Sequence, residues 1–208
     1  LLTNLFILME IQKKYHISIG SNIGNRIKNI QETIDLIHSR IASLLSISSI
    51  YETESIGFEG DDFFNICASF NSFKSPHFIM NEFLEIEKLL GRVRSKEKKY
   101  TSRIIDIDIL LVDDMIINSE ELTIPHKEMC NRRFVLDPLI EIDPNIIHPV
   151  NKMSIKEILN SLESKQKIQN KDIILQNPAH SVSINNYSYI AIEGNIAVSY
   201  THLTLPTK

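Results

Sequence analysis

Between Ile105 and Ile109 apolar and acidic residues alternate strictly. Ile105, Ile107 and Ile109 fall on one parity, Asp106 and Asp108 on the other. A period of two is that of a half-buried strand, so Arg103–Val112 predicts a β-strand with two carboxylates on its open face. Upstream, Tyr15–Ile19 is a short apolar strand that runs into a glycine- and asparagine-rich turn, Gly20–Arg26. Ile27, Ile30, Ile34, Ile37, Ile41 and Leu44 then step by three and four, the stripe of an amphipathic helix. Ser46–Thr53 reads as a second strand, Glu54–Asp62 as a loop, and Phe63–Phe73 as a third strand able to pair with the second. Ser75-Pro76 places an N-cap before a proline at the first helical position. The second helix follows through Phe78, Ile79, Phe83, Ile86, Leu89 and Leu90, and Gly91 stops it.

After the acidic strand come a small hairpin (Leu111–Leu122), a loop holding Pro125-His126, an apolar segment from about Phe134, and a short helix over about Ser154–Leu162. The order strand, helix, strand, strand, helix, strand predicts an α+β fold. It is a ferredoxin-like βαββαβ core, a mostly antiparallel sheet with helices on one face, plus the hairpin and the C-terminal helix.

Composition narrows the function classes. The 208 residues allow one good core and a tail. The formal charge of −4 argues against a general nucleic-acid binder. No apolar run approaches the length of a membrane span. Cys67 and Cys130 lie far apart with no C-x-x-C pairing, so they read as reduced thiols of a cytoplasmic protein. Residues 1–9 read as a leader or disordered start, with the first eight as upstream sequence and Met9 as the true start, and 10–162 as the globular domain. The polar 163–185 reads as a linker.

Asp106 and Asp108 lie roughly 7 Å apart on one strand face and repel each other unless a cation sits beside them. Hard oxygen donors suit Mg²⁺, which takes one or two carboxylates and completes its shell with water and phosphate oxygens. Taken alone, the pair reads as a solvated strand face. The loop before it changes that reading, because Arg92, Arg94, Lys96, Lys98, Lys99 and Arg103 concentrate positive charge in a net-acidic chain, and Arg132 and Arg133 follow later. Guanidinium forks pair with phosphate oxygens, so the combination points to a polyphosphate site. No glycine-rich phosphate loop and no Rossmann fingerprint occur. His38, His77 and His180 read as structural or exposed. His126, in a turn after the acidic strand, is placed to reach a phosphate.

Eight motifs in order then carry a resemblance: G-S-N-I-G-N-R (20–26), Y-E-T-E-S-I-G (51–57), D-F-F-N (62–65), G-R-V-R (91–94), R-I-I-D-I-D-I-L (103–110), L-T-I-P-H (122–126), N-R-R-F-V-L-D-P-L (131–139) and H-P (148–149). Over about residues 10–162 the chain resembles the hydroxymethyl-dihydropterin pyrophosphokinases of folate biosynthesis. The resemblance implies transfer of pyrophosphate from ATP to a reduced hydroxymethyl pterin, giving AMP. It implies that Asp106 and Asp108 are catalytic and hold two Mg²⁺ ions, and that Arg92, Arg94 and Arg103 clamp phosphates. Arg92 and Arg103 count among the catalytic residues. Glu87, Ile109, Thr123, His126 and Arg132 match positions lining the ATP site. Phe63 and Phe134 match aromatics that sandwich the pterin ring, Asn65 a residue on its polar edge, and Thr53, Glu54 and Ile56 the backbone that reads the rest. Small-molecule substrates, no nucleic acid, no membrane and a monomeric fragment are the implied partners.

This sequence also departs from the family. Ser55 stands where proline is usual, Phe63 lacks a tyrosine hydroxyl, Lys127 replaces an aromatic, and the basic loop carries Tyr100 in place of a tryptophan. In the tail, Tyr187–Ile196 resembles the first strand of a deoxynucleoside kinase, so 186–197 reads as a truncated second domain and 198–208 as translated adapter. Two further readings compete: a non-catalytic ferredoxin-like module binding nucleotide or RNA, and another Mg-dependent phosphotransferase with a different acceptor.

Overall fold

A computed structural model describes residues 11–55, 60–92, 102–164 and 166–180. Ile56, Arg94 and Tyr100 lie outside them, as do the leader and the kinase-like and adapter-like segments. The elements are β1 (Lys13–Ser21), α1 (Arg26–Arg40), β2 (Leu44–Ile47), β3 (Ile50–Thr53), β4 (Phe63–Ser72), α2 (Pro76–Leu89), β5 (Asp106–Val112), β6 (Ile117–Asn118), β7 (Thr123–Ile124), α3 (Arg133–Ile142), α4 (Ile155–Ser161) and β8 (Ile168–Lys171).

The main sheet runs β5-β1-β4-β3-β8, with β2 also paired to β4, and every pairing is antiparallel. The expected second strand is broken in two at Ser48. Its hydroxyl accepts from Cys67 N–H at 2.9 Å and donates to the Ser49 carbonyl at 2.8 Å, so a side chain interrupts the ladder.

One sheet face carries the main core. Tyr15, Ile17 and Ile19 of β1, Ile66 and Phe70 of β4, and Ile105, Ile107 and Ile109 meet Ile30, Ile34 and Ile37 of α1 and Ile79, Phe83 and Ile86 of α2. The helices are not confined to that face. Cys67, Leu110 and Leu111 point the other way and pack under Val135, Leu136 and Leu139 of α3 and Ile155 and Ile158 of α4. The apolar segment near Phe134 is therefore a helix, and it covers half of the second face. Glu141 of α3 fastens it to β3 by accepting from Ser49 N–H at 2.8 Å and Tyr51 Oη at 2.9 Å.

Part of the segment expected to be a linker forms a strand. Residues 168–171 pair with β3 as β8, and Lys171 Nζ lies 2.5 Å from Glu52 Oε2. The polar composition hid it, because an edge strand at the rim needs few apolar side chains. No helix among the described residues is long and apolar enough to cross a membrane.

Candidate active site

The second sheet face is left open at one end, and the antiparallel register decides what stands there. Gly20 pairs with Asp106 on one side and Asn65 on the other, and Asn65 pairs with Tyr51. Ser18 pairs with Asp108, and Thr53 with Phe63. Directly paired residues share a face. Both acids, Asn65, Thr53 and Phe63 therefore form one floor, and all of them line a cavity of about 350 Å³. Arg132 and Phe134, at the start of α3, form a wall with Glu128 and Asn131.

Gly20 keeps the floor flat. A Cβ there would come within 3.0 Å of Asn65 Oδ1. The amide is itself fixed, since Asn65 Nδ2 donates to Thr53 Oγ1 at 3.0 Å.

Asp106 is gripped by two arginines. Arg92 Nη1 donates to its Oδ1, and Arg103 Nη1 to its Oδ2 at 2.5 Å. Arg92 reaches it because of how α2 ends. Gly91, at φ 91°, gives its N–H to Lys88 O at 3.0 Å, and Arg92 N–H bonds Glu87 O at 2.9 Å, the paired bonds of a Schellman cap. That cap sets the Arg92 guanidinium on the carboxylate of Glu87. Arg103 is placed by Asn22, whose Oδ1 accepts from Arg103 N–H at 2.7 Å while its Nδ2 donates to Asp61 O and Ser102 Oγ, each at 3.1 Å.

Among the described residues Asp108 makes no direct ion pair with an arginine. Burial pushes its carboxyl up to about 7, with Asp106 adding repulsion and Arg132 opposing it. His126 Nε2 lies 4.0 Å from Asp108 Oδ2. Burial, with Arg132, lowers His126 to about 4, so the imidazole is neutral near pH 7. Its Nδ1 accepts from Glu128 N–H at 3.3 Å, which leaves the proton on Nε2, facing Asp108.

Several expected residues stand elsewhere. Ile109 is 3% exposed and packs in the main core on the far side of the sheet from Asp108, so its side chain cannot line the site. Glu87 is 1% exposed and outside the cavity lining; it holds Arg92 and accepts Ile107 N–H at 3.0 Å. Thr123 pairs with Asn118 in the small hairpin and is outside the cavity lining. Glu54 is a cavity residue with an exposed side chain. Arg133, counted with the basic cluster, instead pairs with Asp137 one turn along α3, at 3.1 Å. The sequence reading gave no role to Ser18, Gly20, Glu128, Asn131, Ser164 or Gln166, all of which line the cavity. The parity of β1 opposite the acids could have identified the first two.

The carboxylate pair tests well against a hard divalent cation. Its donors are oxygens on one open face, and burial together with the neighbouring Asp106 disfavours the charged form of Asp108, which a cation beside it would relieve. No cluster of three or more His, Cys, Asp or Glu occurs among the described residues, so these offer no closed cage for zinc.

A model of the 7,8-dihydro-6-hydroxymethylpterin-pyrophosphokinase (HPPK) family matches residues 16–144. The 2-amino-4-hydroxy-6-hydroxymethyldihydropteridine pyrophosphokinase of Aquifex aeolicus is 35% identical over 68% of this chain and 88% of its own length. The chain belongs to the HPPK family. The Haemophilus influenzae HPPK of the same name is 32% identical over 74% of this chain and 96% of its own. The folic acid synthesis protein fol1 of Pneumocystis carinii is 39% identical over 67% of the chain, but the HPPK chain spans only 19% of that longer protein. In fold, the wild-type HPPK-DHPS of Plasmodium falciparum superposes with a TM-score of 0.61 at 15% identity, over 72% of this chain and 44% of that one. The HPPK match ends at residue 144 and lends no support to a kinase domain at 186–197.

Proposed function

We propose that the protein transfers pyrophosphate from ATP to 6-hydroxymethyl-7,8-dihydropterin, giving AMP and the pterin diphosphate. The observation that supports this most is one cavity with two kinds of lining. Asp106, Asp108 and Arg103 are charged groups suited to metal and phosphate, and Phe63, Asn65 and Phe134 are two rings and an amide suited to a flat heterocycle.

The flat ring of the pterin lies between Phe63 and Phe134, whose faces favour stacking. Asn65, held by Thr53, presents its amide to the ring's polar edge. This orientation points the hydroxymethyl group toward the acids. The hydroxyl oxygen forms a bond to the β-phosphorus and releases its proton to solvent, the bond from that phosphorus to the oxygen bridging the α-phosphate breaks, and AMP leaves with that oxygen. Asp106 and Asp108 would hold two Mg²⁺ ions, which supply charge neutralisation on the phosphates. Arg92 and Arg103 then exchange the Asp106 carboxylate for phosphate oxygens, keeping a guanidinium fork against each new anion. Neutral His126 donates Nε2–H to a phosphate beside Asp108. Cys67 and Cys130 are both free thiols, which fits a reducing, cytoplasmic setting.

The test is product analysis. With Mg-ATP and the reduced hydroxymethyl pterin, AMP and a pterin diphosphate are expected in equal amounts. ADP, or no pterin-dependent turnover, refutes the reading.

A further inference from the structure

One wall of the cavity comes from a part of the chain beyond the family match. β8 pairs with β3 so that Ile168 lies opposite Thr53. Paired residues share a face, and residues two apart on a strand share it too. Thr53 meets Asn65 on the cavity face, so Gln166 is carried past the end of β3 over that same face. Ser164 and Gln166 accordingly line the cavity.

Two hydrogen bonds fix Ser164 and Gln166. Gln166 N–H donates to Ser164 Oγ at 3.2 Å, and Ser164 N–H to Leu162 O at 2.9 Å. Beyond β8 the chain is tied down again, where Gln176 N–H donates to Gln31 Oε1 at 2.8 Å and Gln31 Nε2 donates back to Gln176 O at 2.9 Å. The segment is thus anchored on both sides of the sheet edge, while the Gln166 side-chain amide has no protein partner among the described residues. An amide carries two donors and an acceptor, which complements the edge of a heterocycle that offers both.

We infer that Gln166 is a specificity-determining contact for the pterin, positioned by its hydrogen bond to Ser164 and by β8. The inference rests on the pterin reading of this cavity. It makes the C-terminal strand part of the substrate site and not a passive edge.

The experiment uses the full chain and Gln166→Ala, with pterin binding followed by the fluorescence of the hydroxymethyl pterin. Binding of a non-hydrolysable ATP analogue and the melting temperature are measured beside it. Loss of one hydrogen bond to a bound ligand predicts a pterin Kd raised about tenfold. The pterin KM should rise with it, while nucleotide affinity, kcat and melting temperature stay at wild-type values. An unchanged pterin Kd overturns the inference, and so does a variant that loses stability and both ligands together. If the wild-type chain itself fails to bind the pterin, the functional reading fails instead.

Discussion

Glu87 holds Arg92 from below: its carboxylate accepts from Arg92 Nη1 and, at 3.0 Å, from the N–H of Ile107 on the acidic strand. One buried side chain therefore aligns an arginine with Asp106 without touching the cavity. Glu87→Ala would leave a strand N–H unpaired and strip Arg92 of one of its two carboxylate partners among the described residues, at a cost of about 2–3 kcal/mol. Chemical denaturation should show that loss, and turnover should fall while pterin binding holds. Unchanged stability would remove Glu87 from this role.

Asp108 makes the metal-free protein sensitive to pH. Its carboxyl sits at about 7 in the folded chain against an ordinary 3.8. The folded state thus holds the extra proton, and the associated stability is full below the unfolded value and lost as pH rises through about 7. Asp108→Asn should stabilise the metal-free protein at pH 8 and flatten this dependence, while abolishing turnover. Because the side chain is 34% exposed, solvent screening reduces the gain to roughly 1–2 kcal/mol. Melting curves at pH 5 and pH 8 check it, and an Asn variant less stable than wild type at pH 8 would contradict it.

His126 titrates in the opposite sense. Its folded value near 4 lies below the ordinary 6.5, so it costs stability as pH falls between the two. NMR of the metal-free protein should find the His126 ring neutral at pH 6. His126→Gln, which keeps a neutral donor, should retain more activity than His126→Ala.

Gly20→Ala probes the floor. The added methyl would sit 3.0 Å from Asn65 Oδ1, so the amide must shift away from the edge it serves. Pterin affinity should fall about tenfold, the equivalent of one hydrogen bond, with the nucleotide analogue bound as before. Equal losses for both ligands would show a general disruption.

The central frame was legible because its signals are local. Alternation placed Asp106 and Asp108 on one face, and Gly91 marked the end of α2. The acidic strand also shows where such reading stops. Leu110 breaks the alternation as the extra residue of a β-bulge, since His16 pairs with Leu111 but Ile17 with Ile109. The bulge frees the Leu110 carbonyl to accept His126 N–H at 2.9 Å, which delivers the histidine to Asp108. The resemblance puts Ile109 and Glu87 at the ATP site by matched position alone, which does not fix the face or burial of a side chain. Gln166 was invisible because nothing in a polar stretch announces pairing with a strand more than a hundred residues away.

The claim on which the account depends is that Asp106 and Asp108 together hold the cation beneath the triphosphate. Mn²⁺ binding followed by electron paramagnetic resonance, with a non-hydrolysable ATP analogue present, reads this directly. The wild-type chain should bind Mn²⁺ in a nucleotide-dependent manner, and Asp106→Ala and Asp108→Ala should each lose that binding while keeping the fold. Wild-type Mn²⁺ affinity in either variant would contradict it.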